Sequence, residues 1–243
     1  MMKLKLEDPT LFTKAIELIS DLVMEVRIKI NEFGLSLVAI DPGNISMVSL
    51  KIPKSAFKEF ESGDEVLGVN IENLKKILKR TSKTSALALE KKENFLEIKI
   101  EDKIKRIFNL NLIEVEREDK EFPDNLEFSS KITIDSQDLI DSIDDCLVVS
   151  DACSFIVDGK KFIIEAKETN SARSEFSSDE VEIEAEDCFS RYSLEYLQKF
   201  TKAGKQFPKT VLKFARDHPL RIDFVSEHLN LSFLLAPRVE TED

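Results

Sequence analysis

Four carboxylates, Asp138, Asp141, Asp144 and Asp145, recur at spacings of three and four within "DSQDLIDSIDDC" (135–146). On a helix such spacings bring side chains to one side, and oxygen ligands gathered there can hold magnesium. Metal-dependent phosphodiester cleavage is the chemistry this group would support. Its usual helpers are missing: there is no second carboxylate cluster, and the two histidines, His218 and His228, stand isolated. A second group has the opposite sign. "NLKKILKRTSK" (73–83) holds five basic residues in eleven, Lys75, Lys76, Lys79, Arg80 and Lys83, in a chain of formal net charge −12. Lysine and arginine without aromatic or base-reading companions suit a phosphate backbone, held weakly and without regard to sequence. The six glycines form neither GxGxxG nor GxxxxGK[ST], so no nucleotide cradle and no cofactor are expected.

These cations need an element to aim them. At about 100° per residue, Ile71, Leu74, Ile77 and Leu78 share one stripe and the basic residues fan across the opposite side. Asn70 is the expected cap of this helix. The arrangement occurs twice: "IENLKKILK" (71–79) lies over "LEYLQKFTK" (194–202), with Leu74 on Leu197 and Ile77 on Phe200, at an offset of 123 residues. Lys199 and Lys202 take the outward places, and Lys205 follows. After each copy come a strand, a turn, a second strand and a closing apolar strand, "IFNLNLI" (107–113) or "LNLSFLL" (229–235). A duplicated unit of half the chain is the economical account. Further helices are expected after Asp8-Pro9, with Pro9 at the first helical position, and over 135–146. Strand-length alternating runs occupy 2–7, 24–30, 34–40, 45–52, 86–90 and 94–100.

"EVEREDKEFPDNLE" (114–127) carries nine charged residues in fourteen and reads as a solvated linker. Domains at 1–113 and 128–243 follow. The first residues do not resemble a secretory signal, and no run reaches the ~18 apolar residues of a membrane span. Cys146, Cys153 and Cys188 make neither a disulfide framework nor a zinc spacing. A soluble intracellular protein with reduced thiols and no membrane partner is expected.

With these parts assembled, "LVAIDPGNISMVSLKI" (37–52), "LKKILKR" (74–80), "YLQKFTKA" (196–203) and "LLAPRVE" (234–240) resemble, in order and across the whole chain, the proliferating cell nuclear antigen (PCNA) family of DNA sliding clamps, in its archaeal form. The resemblance implies an α+β, two-domain clamp fold: duplicated β-rich domains with helices on one face, three subunits closing a ring around duplex DNA. It implies a non-enzymatic processivity factor that tethers DNA polymerase, clamp loader, flap endonuclease and DNA ligase through short hydrophobic-aromatic peptide motifs.

Carried over by position, the family's DNA-facing cations match Lys14, Lys76, Lys79 and Lys202; helical geometry adds Lys75, Arg80, Lys83, Lys199 and Lys205. Asp141 and Asp144 stand where eukaryotic members are basic, so an unevenly charged hole is expected. The peptide pocket matches Ile40, Asn44, Ile45, Met47, Leu126, Phe128, Pro219, Leu234, Ala236, Pro237 and Arg238, where exposed backbone at "LAPR" would suit a short β-addition. The subunit edges match Ile107, Phe108, Leu110 and Leu112 on one side and Ala172, Ser174 and Phe176 on the other. A heteromeric clamp subunit, of replication or checkpoint type, and a metal-dependent nuclease built on the acidic helix are the alternatives.

Overall fold

Alternating apolar and polar residues become strands along most of the chain, and the same order of elements runs through it twice. The structure, a computed structural model, describes residues 2–116 and 120–238. Residues 117–119 of the expected linker and the last two residues of "LLAPRVE" lie outside the described residues. The chain divides into two compact units, one of Met1–Pro42, Val48–Phe122 and Ser226–Leu231, the other of Gly43–Met47, Pro123–Val225 and Ser232–Asp243.

The first half runs β1 (Lys3–Leu6), α1 (Thr10–Ser20), β2 (Glu25–Asn31), β3 (Gly34–Ile40), β4 (Ser46–Pro53), β5 (Glu59–Glu61), β6 (Glu65–Asn70), α2 (Ile71–Leu78), β7 (Ala86–Lys91), β8 (Phe95–Glu101) and β9 (Lys105–Asn111). The second half repeats this element for element: β10 (Ser130–Asp135), α3 (Ser136–Leu147), β11 (Ala152–Asp158), β12 (Lys161–Lys167), β13 (Ser171–Ser177), β14 (Glu182–Ala185), β15 (Cys188–Ser193), α4 (Leu194–Thr201), β16 (Lys209–Phe214), β17 (Leu220–Val225) and β18 (Asn230–Leu235). Pairing repeats as well. The first half has the strand orders β5-β1-β7-β8-β9 and β4-β3-β2-β6; the second has β14-β10-β16-β17-β18 and β13-β12-β11-β15. Two halves that agree in element order and in strand order bear out the duplication.

Local chemistry explains where the helices begin. Asn70 ends β6 in extended conformation, and its side chain accepts from the Asn73 N–H at 3.0 Å, so it caps α2 as expected. Asp135 does the same for α3, accepting from Gln137 N–H at 2.9 Å. Pro9, expected at the first helical position, stands one residue earlier as the cap of α1, where Asp8 Oδ1 accepts from Thr10 N–H. The two cores share a plan but differ in filling. Unit one is aliphatic, built on residues such as Leu4, Ile16, Leu50, Leu78 and Ile98. Unit two is aromatic: Phe155 meets Phe162 and Tyr192 edge-on at 5.6 and 5.5 Å, and Phe200 stacks on Phe233 at 4.4 Å.

Strands β5 and β6 are not foreseen in the sequence, because β5 has only three residues and Gly68 interrupts the pattern of β6. That glycine has its own use. Ile113 N–H donates to Gly68 C=O at 2.9 Å, which lays the residues after β9 against β6. A Cβ on Gly68 would come 2.0 Å from Ile113 O. Gly68→Ala is therefore expected to dislodge the segment 112–116 and lower stability by about 1–3 kcal/mol. Urea unfolding reads the loss of stability, and faster proteolysis after 112 reads the dislodged segment; wild-type values for both would show that the close approach is not needed.

Candidate nucleic-acid interface and peptide cleft

In unit one, α1 packs on α2. Ile71, Leu74 and Leu78 are buried and fix the roll of α2, while Ile77, assigned to the same stripe, is only half-buried. That roll leaves Lys76 and Lys79 exposed, with Lys14 exposed on α1; Arg80 and Lys83, placed above by helical geometry, instead lie past the end of α2 at Leu78, exposed in the turns that follow. Lys75 behaves differently. Its side chain is 16 % exposed and lies 2.6 Å from Glu72 one turn earlier, which raises the Lys75 pKa and lowers that of Glu72. Glu17 bridges the two helices: one carboxylate oxygen takes Lys14 at 2.8 Å, the other Lys79 at 3.0 Å. The Lys14 ammonium, with Lys79, holds the Glu17 carboxyl below the usual range.

In unit two, α3 packs on α4. Leu194, Leu197 and Phe200 are buried, and α4 ends at Thr201. Lys202 caps it and opens a 3-10 turn, Lys202–Gln206, that leaves Lys202 and Lys205 exposed. Lys199 is half-covered, 2.8 Å from Glu195 and 5.2 Å over the Tyr196 ring. On α3, Asp138, Asp141, Asp144 and Asp145 are all exposed, and Gln137 Nε2 donates to Asp141 at 2.7 Å. Among the described residues, no three acidic, histidine or cysteine side chains are placed to hold a metal ion. The nuclease alternative has no ligand set there.

Nearly all the residues assigned to a peptide pocket fall within unit two; Ile40 belongs to unit one and is half-buried. Asn44 takes a left-handed turn (φ 54°) and presents Ile45, which is 42 % exposed. Ala236 N–H donates to Ile45 C=O at 2.9 Å, so this turn and the C-terminal stretch hold each other. Arg238 N–H donates to Arg191 C=O at 2.7 Å, and its guanidinium pairs with Asp151 at 2.6 Å. Those two N–H groups are thus engaged and Pro237 has none. What the stretch can offer an incoming backbone is carbonyls, a restriction on the β-addition expected above. Met47, Leu126, Phe128, Pro219, Ala236 and Pro237 are half-buried; Leu234, 5 % exposed, belongs to the core.

Several supports of the residues assigned to the peptide pocket are not legible in the sequence. Phe128 meets the His218 ring edge-on at 5.3 Å, and Tyr192 Oη donates to His218 C=O at 2.9 Å. His218, isolated in the sequence, is half-buried between them. Arg221 reaches Asp124 at 3.2 Å and Asp223 at 2.9 Å, which ties the segment before Leu126 to β17. Only partners far apart in sequence reveal these roles.

The residues assigned to subunit edges lie on β9 and β13, each the end strand of its sheet, with Leu112 just past β9. Ile107 is 53 % exposed. Phe108, Leu112, Ala172, Ser174 and Phe176 are half-buried, while Leu110, 6 % exposed, points into its own unit.

Two β-rich units of identical topology, each with a packed helix pair, define a two-domain DNA-clamp fold. Comparison with known proteins gives the same class. Residues 1–121 match the family model "Proliferating cell nuclear antigen, N-terminal domain". The chain is 36 % identical over 238 residues to a DNA polymerase sliding clamp of Thermococcus gammatolerans, covering 94 % of this chain and 95 % of that one. It is 34 % identical over 245 residues to that of Pyrococcus horikoshii, with the same coverage. In fold it matches the crystal structure of Proliferating Cellular Nuclear Antigen from Entamoeba histolytica, with a TM-score of 0.91, 24 % identity, and coverage of 98 % of this chain and 99 % of the other. The chain belongs to the PCNA family of DNA polymerase sliding clamps.

The Tyr192–His218 hydrogen bond, which supports the ring that Phe128 meets, can be tested directly. Tyr192→Phe keeps the buried ring and removes only the hydroxyl, so a loss of about 0.5–1.5 kcal/mol in urea unfolding is expected. An unchanged midpoint would mean that the His218 carbonyl is satisfied otherwise.

Proposed function

We propose that this chain is a DNA polymerase sliding clamp: a non-enzymatic subunit, soluble and intracellular, three copies of which close around duplex DNA and tether replication and repair enzymes. The observation that carries the proposal is the repeated placement of cations. Each unit buries one stripe of its second helix and leaves basic residues exposed around that helix's C-terminal end, Lys79 and Arg80 in one, Lys202 and Lys205 in the other. Lys79 and Lys202 stand at equivalent places in the duplicated fold, with Arg80 and Lys205 close by, and such a repeat suits a non-specific phosphate surface. In this reading the domain division falls at the charged segment 114–127.

The same reading gives β9 and β13 their partners. An end strand with open backbone groups is an aggregation hazard unless something pairs with it, and a neighbouring copy of the chain would pair with both. The turn at Ile45, with Phe128 and Pro219, would take the apolar and aromatic anchors of a partner's peptide. A heteromeric clamp subunit is the second reading, favoured by the acidic face of α3.

Two measurements test the proposal. Reversing Lys76, Lys79 and Lys202 to Glu is expected to cut stimulation of a cognate polymerase by about tenfold or more. Light scattering should still give three times the 27.8 kDa chain mass. Full stimulation by the triple variant would overturn the inner-face assignment, and a persistent wild-type monomer would favour the heteromeric reading. Ile45→Arg is expected to weaken binding of a Q-x-x-L-x-x-F-F peptide by about 30-fold or more; unchanged affinity would remove the cleft assignment.

A further inference from the structure

Among the described residues, Glu17 is the one carboxylate in the α1–α2 pair whose two oxygens serve two different assigned DNA-facing cations, Lys14 at 2.8 Å and Lys79 at 3.0 Å. We infer that Glu17 acts as a built-in competitor for phosphate, holding Lys14 and Lys79 back from the nucleic acid and so limiting how tightly unit one grips it. The inference rests on the DNA-facing reading of this helix pair.

Three observations carry it. The bridge joins two helices, so it places both cations rather than capping one locally. Glu72 does act locally: it takes only Lys75, which is already mostly covered. The bridge is also open to solvent, with Lys14 and Lys79 about half exposed and Glu17 30 % exposed. Exposed ion pairs are weak, so a phosphate can displace the carboxylate, and the competition is reversible.

The repeat keeps an acid at this place. The buried residues Phe12, Ala15, Ile16 and Ile19 of α1 coincide with Leu139, Ser142, Ile143 and Cys146 of α3. That register puts Asp144 at the position of Glu17. The buried residues of α2 and α4 likewise put Lys202 at the position of Lys79. An acid on the first helix and a lysine at the end of the second are therefore common to both units. Lys14 alone is not repeated, since Asp141 takes its place.

The physical consequence is graded attraction. Among the described residues Lys76 and Arg80 stand exposed with no carboxylate at ion-pair distance, Glu72 acting on Lys76 only from further off, whereas Lys14 and Lys79 exchange a carboxylate for phosphate. A surface that must move along a backbone is served by contacts that form and release readily.

Full-length Glu17→Gln, checked for trimer mass and thermal unfolding, is titrated on a short linear duplex by fluorescence anisotropy across a range of salt. Each lysine that newly meets a phosphate steepens the slope of log K against log salt by about 0.9. The expected result is tighter binding at low salt and a slope steeper by about 1–2. Adding Lys79→Gln to that variant should remove much of the gain, and in the wild type Lys79→Gln should cost less than Lys76→Gln. An unchanged slope in Glu17→Gln, with binding still lost in the Lys76/Lys79/Lys202 reversal, would reduce Glu17 to a tie between helices and leave the clamp reading intact. Binding unaffected by either change would remove the DNA-facing assignment and this inference with it. Should Glu17→Gln unfold, Glu17→Ala takes its place in every arm.

Discussion

Helices α2 and α4 are eight residues each, too short to persist in water without a partner surface. Each is held by a few apolar side chains: Ile71, Leu74 and Leu78 in one, Leu194, Leu197 and Phe200 in the other. Burying such a side chain contributes about 1.5–3 kcal/mol, so the roll of each helix is decided by that stripe and little else. Everything on the opposite side then has its direction assigned. The lysines at 76, 79 and 202 face outward because the leucines face inward. The charge pattern of the helix pairs is thus a by-product of core packing that sequence could then tune.

That tuning differs between the halves. Both halves fold by one plan, yet α3 carries exposed aspartates where α1 carries Lys14 and Glu17. A net charge of −12 describes the whole chain, whereas a bound polyanion meets only the face turned toward it. The acidic total and the basic helix ends are compatible for that reason. In the second unit the exposed cations assigned to DNA lie in the turn after α4, and in the first on α1, on α2 and just past its end.

Much of this is legible in the sequence, for a physical reason: the signals are local. Asn70 precedes its helix and caps it; Leu74 and Leu78 are one turn apart and share a face. Lys75 and Lys199 are less outward than helical geometry alone predicts, although a local signal exists. Glu72 at i−3 and Glu195 at i−4 are the spacings that pull a lysine along its own helix. Leu110 is buried because alternation along β9 turns it inward, whereas Leu234 lies between the buried Phe233 and Leu235, so β18 is covered on both faces there. Gly68, His218, Tyr192 and Arg221 leave no such trace. Their partners lie 45, 90, 26 and 97 residues away, at Ile113, Phe128, His218 and Asp124, and no short window along the chain contains both members of a pair.

The C-terminal stretch shows how such distant contacts narrow what a surface can bind. "LAPR" reads as open backbone, but Ala236 and Arg238 have given their N–H groups to Ile45 and Arg191, and Pro237 never had one. The segment is held at both ends by its donors, so an arriving chain would have to bring its own N–H groups to the remaining carbonyls. Such contacts are indifferent to side-chain identity. Selectivity therefore falls to the side chains beside them: Ile45, raised by the left-handed Asn44, and Phe128, propped against His218. In the proposed peptide-binding reading, a surface built this way discriminates by apolar shape at a few anchors and accepts varied residues between them.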